Sequence, residues 1–397
     1  MLNKSKKTVK FITYDGILEP IGNSQVLSYL IKVSSEYNIK LLSYEKKEDL
    51  VNKIEIRQLK KKLLEHHIEW KYFIYYDHIF FLGTLRNIFN GFFNNIYDLI
   101  TNKINLFHIR GPLPGLLIIP FLIIYKVKFI FDMRGFWADE KVDRLGWKIN
   151  SIVYKFFKRV EKILLNSSKH IITLTNDAKQ ILIDDYKINE TKITILPTCV
   201  DTDFYKLQRI PINEYINFCH LGSVQSAYNI EKTLKLFSSF LDINKNLKIY
   251  FYLNNNEIKK INKIISKFNI SKKNYSISSL EKNEVPENLA NMSIGIFYCN
   301  TNFSIKGSFP TKIGELLSCG VPLICNDFNK HITDFINHNK IGIISDFNSV
   351  NYKIIFEDLN KLLRKNKIRE KCNQVAINNL SLSYGSKIIA NIYKKII

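Results

Sequence analysis

Cysteine is sparse and unpatterned in this chain: Cys199, Cys219, Cys299, Cys319, Cys325 and Cys372 contain no Cys-x-x-Cys pair. That excludes a zinc-finger or disulfide framework, and because the six sit mostly within apolar runs they read as reduced core residues of a cytoplasmic protein. No Gly/Ser-rich or low-complexity stretch interrupts the chain, so disorder is not expected beyond its ends. A spanning helix is missing as well. The most apolar stretch, Leu113 to Ile124, is broken by Pro114, Gly115 and Pro120 and followed by Lys126 and Lys128, short of the roughly 20 residues a bilayer requires. It reads instead as one buried helix feeding a strand. The basic start, Met1 to Lys10, lacks the apolar core and cleavage site of a signal peptide, which argues against secretion. Acidic residues are too few to balance the bases: 36 Asp and Glu stand against 58 Lys and Arg, a formal net charge of +22. Part of that surplus follows from a Lys/Asn/Ile-rich composition; the rest asks for an anionic partner. No aromatic RNP strand, Gly-x-x-Gly clamp or Cys/His finger is present, so nucleic acid is excluded in favour of an anionic membrane surface or a phosphorylated substrate.

What is present is one alternation, run twice. At 397 residues, 46% of them hydrophobic, the chain exceeds one ordinary core and fits two. Strand-like runs at Lys10 to Tyr14, Ile39 to Ser43, Leu106 to Ile109, Phe129 to Asp132, Ile171 to Leu174 and Ile193 to Leu196 alternate with helical patterns. A second series follows at Ile216 to His220, Ile249 to Leu253, Tyr275 to Ile277, Ile294 to Tyr298, Leu323 to Cys325 and Gly342 to Ile344, with helices at Ile230 to Leu241 and Ile258 to Phe268. Alternation of this kind predicts an α/β protein of two Rossmann-like domains, each a parallel sheet covered on both faces. The boundaries read as 1–203, 204–380 and a terminal helical segment, 381–397.

The segment Pro310-Thr311-Lys312-Ile313-Gly314-Glu315, ending at Gly320-Val321-Pro322, lies between two of these strands and carries helix start and stop signals. The amide groups and dipole of a helix N-terminus suit a diphosphate, and Lys312 adds a full charge there. Glu315, one turn in, can accept two hydrogen bonds from the vicinal hydroxyls of a ribose. The blander reading of Glu315 is a solvated first-turn acid that favours the helix dipole.

These residues resemble the donor motif of glycosyltransferase family 4, of the GT-B fold, in the variant written Ser-x-Pro-Thr-Lys-x-Gly-Glu; Ser308 to Glu315 fits it. Other stretches resemble the family in the right order. Tyr14 to Leu27, with Gly22, Ser24 and Gln25, is similar to the loop after the first strand, where acceptor and donor meet. Phe131-Asp132-Met133-Arg134-Gly135-Phe136-Trp137-Ala138-Asp139-Glu140 looks like a motif of bacterial surface-polysaccharide transferases. Leu174-Thr175 and Leu196 to Phe204 look like the ends of the family's first domain, and His220-Leu221-Gly222-Ser223-Val224 like the opening of its second. The resemblance implies two domains facing across a cleft, with the terminal helix crossing back to the first. It implies a retaining, metal-independent hexosyltransferase-type glycosyltransferase using a UDP- or GDP-linked sugar as co-substrate, with no further cofactor. It also implies a lipid-linked saccharide acceptor in capsule or O-antigen synthesis, at the inner face of a bacterial cell membrane. By resemblance Glu315 holds the donor ribose, and Pro310, Thr311, Ser308, Gly222 and Ser223 line the nucleotide.

The chain departs from the pattern at three places. Gly307 stands where the family has the Glu that contacts the donor hexose, and Ser223 and Tyr228 stand where it often has a diphosphate-binding Arg and Lys. Lys312, Arg134 and the helix amides are left to carry phosphate charge. Asp132 is the carboxylate chosen to meet the acceptor or donor sugar, with an ordering ion pair to Arg134 as its other reading; Arg110, Asp139 and Glu140 are further candidates. A nucleotide-sugar 2-epimerase of the same fold and a non-catalytic scaffold are the rival functions. Two stretches bear on a membrane. The aromatic run from Tyr72 to Ile100 reads slightly better as ordinary core than as a lipid-facing surface. From Ile149, apolar residues at helical spacing (Ile152, Val153, Phe156, Phe157, Val160, Ile163, Leu164) predict one buried face, with Lys148, Lys155, Lys158, Arg159 and Lys162 outward and Glu161 opposing them.

Overall fold

The chain was analysed as a computed structural model, which describes residues 6–75, 80–101, 103–125, 127–208, 215–224, 227–345 and 351–397. Met1 to Ser5, Tyr76 and Lys126, all used above, lie outside the described residues. Two compact units emerge. The first comprises the described residues up to Leu174 together with Ala178–Pro197 and Leu382–Ile397; the second comprises Thr175–Asp177 and Thr198–Ser381.

In the first unit seven strands, β1 (Thr8–Thr13), β2 (Asn38–Glu45), β3 (Ile68–Ile74), β4 (Ile104–Arg110), β5 (Phe129–Asp132), β6 (His170–Thr173) and β7 (Ile193–Ile195), form a sheet of order β3-β2-β1-β4-β5-β6-β7. Every pairing is parallel. The second unit repeats the plan with β8 (Ile216–Leu221), β9 (Leu247–Tyr252), β10 (Tyr275–Ser278), β11 (Ile294–Phe297), β12 (Leu323–Cys325) and β13 (Gly342–Ile344), in the order β10-β9-β8-β11-β12-β13. The strand order reverses at β1/β4 and at β8/β11, and in open parallel sheets the crevice at such a switch point, outside the carboxyl ends, is where ligands bind.

Two elements depart from the sequence reading. β3 was not anticipated, because an edge strand that alternates exposed Glu69 and Lys71 with buried Ile68 and Trp70 lacks the continuous apolar run of a central strand. The stretch Leu113 to Ile124 is two short helices, Pro112–Gly115 and Ile119–Ile124, since Pro114 and Pro120 each suit only a first turn. All six cysteines are buried, and none of them forms a disulfide.

On one face of the first sheet the helices Phe80–Thr101, Ile119–Ile124 and Ile152–Ser167 cover a core containing Leu117, Phe121, Phe129, Phe131 and Leu164. On the other, Leu382–Ile396 packs with Ser28–Val33, and Tyr393 meets Tyr37 edge to face at 5.3 Å. The Ile152–Ser167 helix is turned differently from the expected phase. Phe157, Val160, Leu164 and Leu165 are buried, whereas Ile152, Val153, Phe156 and Ile163 are exposed. Lys158, expected outward, lies half-buried against Asp139 at 2.9 Å and Glu161 at 2.6 Å, and Glu161 is itself buried and also accepts from Tyr186 at 2.6 Å.

A buried charge fixes the Phe80–Thr101 helix to β1. The Lys10 ammonium bonds Asp98 and, at 2.9 Å, the side-chain oxygen of Asn94; burial lowers its pKa to about 8 against the pull of Asp98. Removing one partner of such a pair strands a charge in the core and costs about 3–5 kcal/mol, while replacing both by apolar groups is close to neutral. Asp98→Ala should therefore unfold at markedly lower urea concentration than the wild type, and Lys10→Met with Asp98→Leu should recover most of the loss. Equal destabilisation by the single and the double variant would show that the pair is not what holds the helix.

Candidate functional site

Each unit carries a cluster of charged side chains at its switch point. In the second unit the loop after β11 is stitched down before the chain turns into the helix Thr311–Ser318. The Asn329 amide donates to the carbonyls of Ile305, Lys306 and Ser308 at 3.0, 3.1 and 3.3 Å. Thr175 donates to the Lys306 carbonyl at 2.5 Å and Thr198 to the Phe309 carbonyl at 2.8 Å, which explains why the Leu-Thr and Leu-Pro-Thr stretches stood out in the sequence. Val200 lies so close to the helix that a Cβ on Gly314 would meet its methyl at 2.9 Å.

Rigidly placed by that loop, Lys312 is 7% exposed and its ammonium has no hydrogen-bond partner among the described residues. It sits 3.6 Å from the ring centroid of Tyr228, a cation–π seat, and next to Gly222, where a Cβ would come within 3.3 Å of Nζ. Gly222 has φ +96°, so both its backbone and the space it leaves suit glycine. Tyr228 is held by a bridge to Cys299 at the end of β11. Burial draws Lys312 down to about 8, with Glu315 and Glu257 among the groups opposing.

Glu315 is half-buried, its carboxyl held above the ordinary range by burial, which Lys312 and a hydrogen bond from Tyr205 partly offset. It is not a solvated acid. Glu257 was missed by the sequence reading: 3% exposed, it accepts from the Ser223 hydroxyl at 2.7 Å and the Val224 amide at 3.1 Å, and its second oxygen has no hydrogen-bond partner. The structure thus brings Lys312, Gly222, Ser223 and Tyr228 together, with Glu315 one turn along the same helix. Pro310 caps that helix and Thr311 opens it, while the Ser308 hydroxyl makes a long 3.5 Å bond to the Ser304 carbonyl. Gly307 is buried at the end of the turn Phe303–Gly307 and supplies no side chain.

In the first unit Asp132, 5% exposed at the end of β5, lies between two guanidinium groups. Arg110 reaches it at 3.5 Å and Arg134 at 3.9 Å. Arg110 also donates to Asp15 at 2.9 Å and Arg134 to Gln25 at 3.3 Å. Burial works to raise the Asp132 pKa, but Arg134, His108 and Arg110 together hold it below the usual carboxylate range. Burial keeps His108 neutral-leaning, below its ordinary value; its Nε2 is 3.7 Å from Asp132, too far for a hydrogen bond, and its Nδ1 is 2.8 Å from the Tyr393 hydroxyl. A cavity of about 180 Å³ opens beside the cluster, lined by Tyr14, Asp15, Arg110, Arg134, Trp137 and Glu140 among others. Burial raises the Glu140 carboxyl.

Of the loop residues named beforehand, Gln25 joins this cluster and Ser24 does not, because its hydroxyl bonds the Pro20 carbonyl at 2.8 Å. Gly22 is a backbone requirement: a Cβ there would stand 1.8 Å from the Gly16 carbonyl oxygen. Glu45, at the end of β2, was also missed; it is fully buried and accepts from the Ile17 and Leu18 amides at 2.9 and 3.1 Å, fixing the loop that carries Gln25. Among the described residues no group of three or more His, Cys, Asp and Glu side chains is arranged to hold a metal ion.

Asp132→Asn would remove the carboxylate shared by Arg110 and Arg134, and losing the acid of such a buried ion pair costs about 3–5 kcal/mol at neutral pH. Because the folded-state pKa is depressed, the stabilisation by Asp132 is present above the unfolded carboxylate value and is lost as pH falls through the folded one. Urea unfolding from neutral to acid pH should show the wild type losing part of its advantage over the variant below about pH 4. A constant gap across that range would contradict this electrostatic role.

Two family models match the chain side by side: Glycosyltransferase Family 4 over residues 56–204 and Glycosyl transferases group 1 over residues 206–379. No curated protein sequence matches it. Among solved structures, a glycosyltransferase from Rickettsia africae is 16% identical, with 99% of each chain covered and a TM-score of 0.66. Anabaena HepE, solved in complex with UDP, is 10% identical over 98% of this chain and 100% of its own, with a TM-score of 0.66. A putative UDP-N-acetylglucosamine 2-epimerase from Listeria monocytogenes is 12% identical over 98% and 96%, with a TM-score of 0.58. At these identities the likeness is one of fold.

Proposed function

Since the chain belongs to the GT-B glycosyltransferases, we propose that it moves a hexose from a UDP- or GDP-linked donor to a lipid-linked saccharide, with retention, in the synthesis of a bacterial cell-surface polysaccharide. The observation that carries the donor half is the Lys312 ammonium, buried without a hydrogen bond at the β8/β11 switch point. A buried cation without a partner is costly unless a ligand supplies the anion. The diphosphate takes that place, assisted by the amides that open the Thr311–Ser318 helix, and Glu315 accepts from the ribose hydroxyls.

Transfer breaks the bond from the anomeric carbon to the phosphate oxygen and forms one to the acceptor oxygen, while the acceptor proton departs with the nucleoside diphosphate or to solvent. The developing charge falls on the leaving phosphate, where Lys312 stabilises it. On the acceptor side, Trp137 and Tyr14 offer ring faces to a saccharide and Asp15 and Glu140 accept from its hydroxyls, the cavity of about 180 Å³ suiting part of a sugar chain. Asp132 is a positioning residue there, fixing Arg110 and Arg134. The resemblance to bacterial surface-polysaccharide transferases and the basic surplus support the acceptor class. HepE binds UDP in its solved complex, which supports a uridine nucleotide as the first donor to test.

Calorimetry on three proteins tests the assignment. Lys312→Ala should weaken UDP by the worth of a charged hydrogen bond, about 1.5–3 kcal/mol, and leave uridine unchanged, whereas Glu315→Ala should weaken both. In the wild type, UDP affinity should fall as pH rises through about 8, where the Lys312 ammonium is lost, and the Lys312→Ala protein should lack that step. Equal weakening of UDP and uridine by Lys312→Ala would make the lysine structural. Release of an epimerised sugar, or UDP-sugar binding with neither transfer nor hydrolysis, would favour the epimerase or the non-catalytic scaffold instead.

A further inference from the structure

The Phe80–Thr101 helix packs Ile88, Phe92, Ile96 and Leu99 on the core, yet it also buries polar residues and exposes a second apolar set. Asn87, Asn94, Asn95 and Asp98 are 0%, 5%, 0% and 6% exposed, while Phe89, Phe93, Tyr97 and Ile100 stand 58%, 63%, 61% and 74% exposed. A helix on a water-facing surface does the reverse. Three of these inward polar side chains are engaged, since Asp98 and Asn94 hold Lys10 and the Asn95 amide donates to the Leu117 carbonyl at 3.2 Å, while the Asn87 side-chain amide makes no hydrogen bond among the described residues. The outward residues recur at helical spacing, and the charged residue exposed on the same stripe, Arg86, is a cation. The aromatic run is therefore only in part the ordinary core expected from its sequence: Phe73, Tyr75 and Phe92 pack there, whereas Phe89, Phe93 and Tyr97 face out.

The Ile152–Ser167 helix lies in the same layer. Phe92 of the first helix meets Phe121 at 5.1 Å, and Gly115 lies against Leu164 of the second. Its outward face combines Ile152, 87% exposed, and Phe156, 49% exposed, with exposed Lys155, Arg159 and Lys162. Glu161, the acid within this helix, is turned inside onto Lys158 and Tyr186. The layer thus presents apolar and aromatic side chains beside cationic charge that no acid of the Ile152–Ser167 helix offsets. Water disfavours the first, a protein partner would have to match both, and an anionic bilayer offers acyl chains and phosphates together.

We propose that this helical layer docks on an anionic lipid leaflet, the aromatic stripe entering the acyl boundary and the basic face holding the headgroups. The proposal rests on the reading of a lipid-linked acceptor for its purpose, not for its physics. Juxtamembrane bases contribute about 1 kcal/mol each, so three supply roughly 100-fold in partitioning, and salt erodes that share as the Debye length shortens.

The full chain is sedimented with vesicles of phosphatidylcholine alone or mixed equally with phosphatidylglycerol, beside Phe89→Ser/Phe93→Ser and Lys155→Ser/Arg159→Ser/Lys162→Ser variants. UDP affinity is measured on each as a check of folding and of the donor site. The wild type should bind the anionic vesicles. The triple variant should bind them about 100-fold more weakly at low salt with little further salt dependence, and the aromatic variant should lose binding even at low salt, both with UDP affinity intact. No wild-type binding to anionic vesicles, or undiminished binding by both variants, overturns the proposal whatever the nucleotide result. So does a wild-type dimer in light scattering that Phe89→Ser/Phe93→Ser converts to monomer without any vesicle binding, which would make the face a contact between copies. Vesicle binding as expected with no UDP affinity would instead overturn the donor reading and leave the docking surface standing.

Discussion

One cation without a counter-ion organises the second unit. Lys312 is held 3.6 Å over the Tyr228 ring, a seat that stabilises an ammonium while leaving its N–H groups free of protein acceptors. Everything nearby follows from keeping that group in place and charged. Gly222 clears space for Nζ, and Asn329, Thr175 and Thr198 fix the loop that delivers the helix. Glu257 accepts from Ser223 and Val224 and so fixes the turn that follows Gly222. Ser223 and Tyr228 stand where the family pattern often has an Arg and a Lys, and under the proposed function Lys312, seated on the Tyr228 ring, carries the phosphate charge instead.

The first unit uses buried charge differently, in satisfied networks. Asp132 is compensated by Arg110 and Arg134, which in turn engage Asp15 and Gln25, so the cluster is close to neutral and rigid rather than poised for an anion. The Tyr393 hydroxyl, from the terminal helix, reaches the same cluster through His108. Lys10 with Asp98 does for the Phe80–Thr101 helix what Asp132 does for the strand ends. Polar side chains are thereby drawn inward, and the helix is left with aromatic residues to show outside.

The parallel sheets were legible because buried strands are short apolar runs between turn signals; β12 and β13 were read to the residue, and β5 likewise. The donor helix was legible because its start, its lysine and its acid lie within six residues of sequence, Pro310 to Glu315. The partners of those groups were not. Tyr205, Glu257 and the ring seat on Tyr228 come from loops and a short turn distant in sequence, and neither composition nor spacing announces them. Period was also easier to read than phase. In Ile152–Ser167 apolar residues occupy more than one side of the helix, so spacing alone could not say that Phe157 and Leu164 face inward while Ile152 and Phe156 face outward.

The central claim is that the Lys312 ammonium is the donor-phosphate site. A crystal structure of the full chain with a non-hydrolysable UDP-sugar measures it most directly. The account predicts a diphosphate oxygen within hydrogen-bond distance of Lys312 Nζ and both ribose hydroxyls on the Glu315 carboxylate. A bound nucleotide whose diphosphate lies elsewhere, with Lys312 still seated over Tyr228 and unbonded, would contradict it.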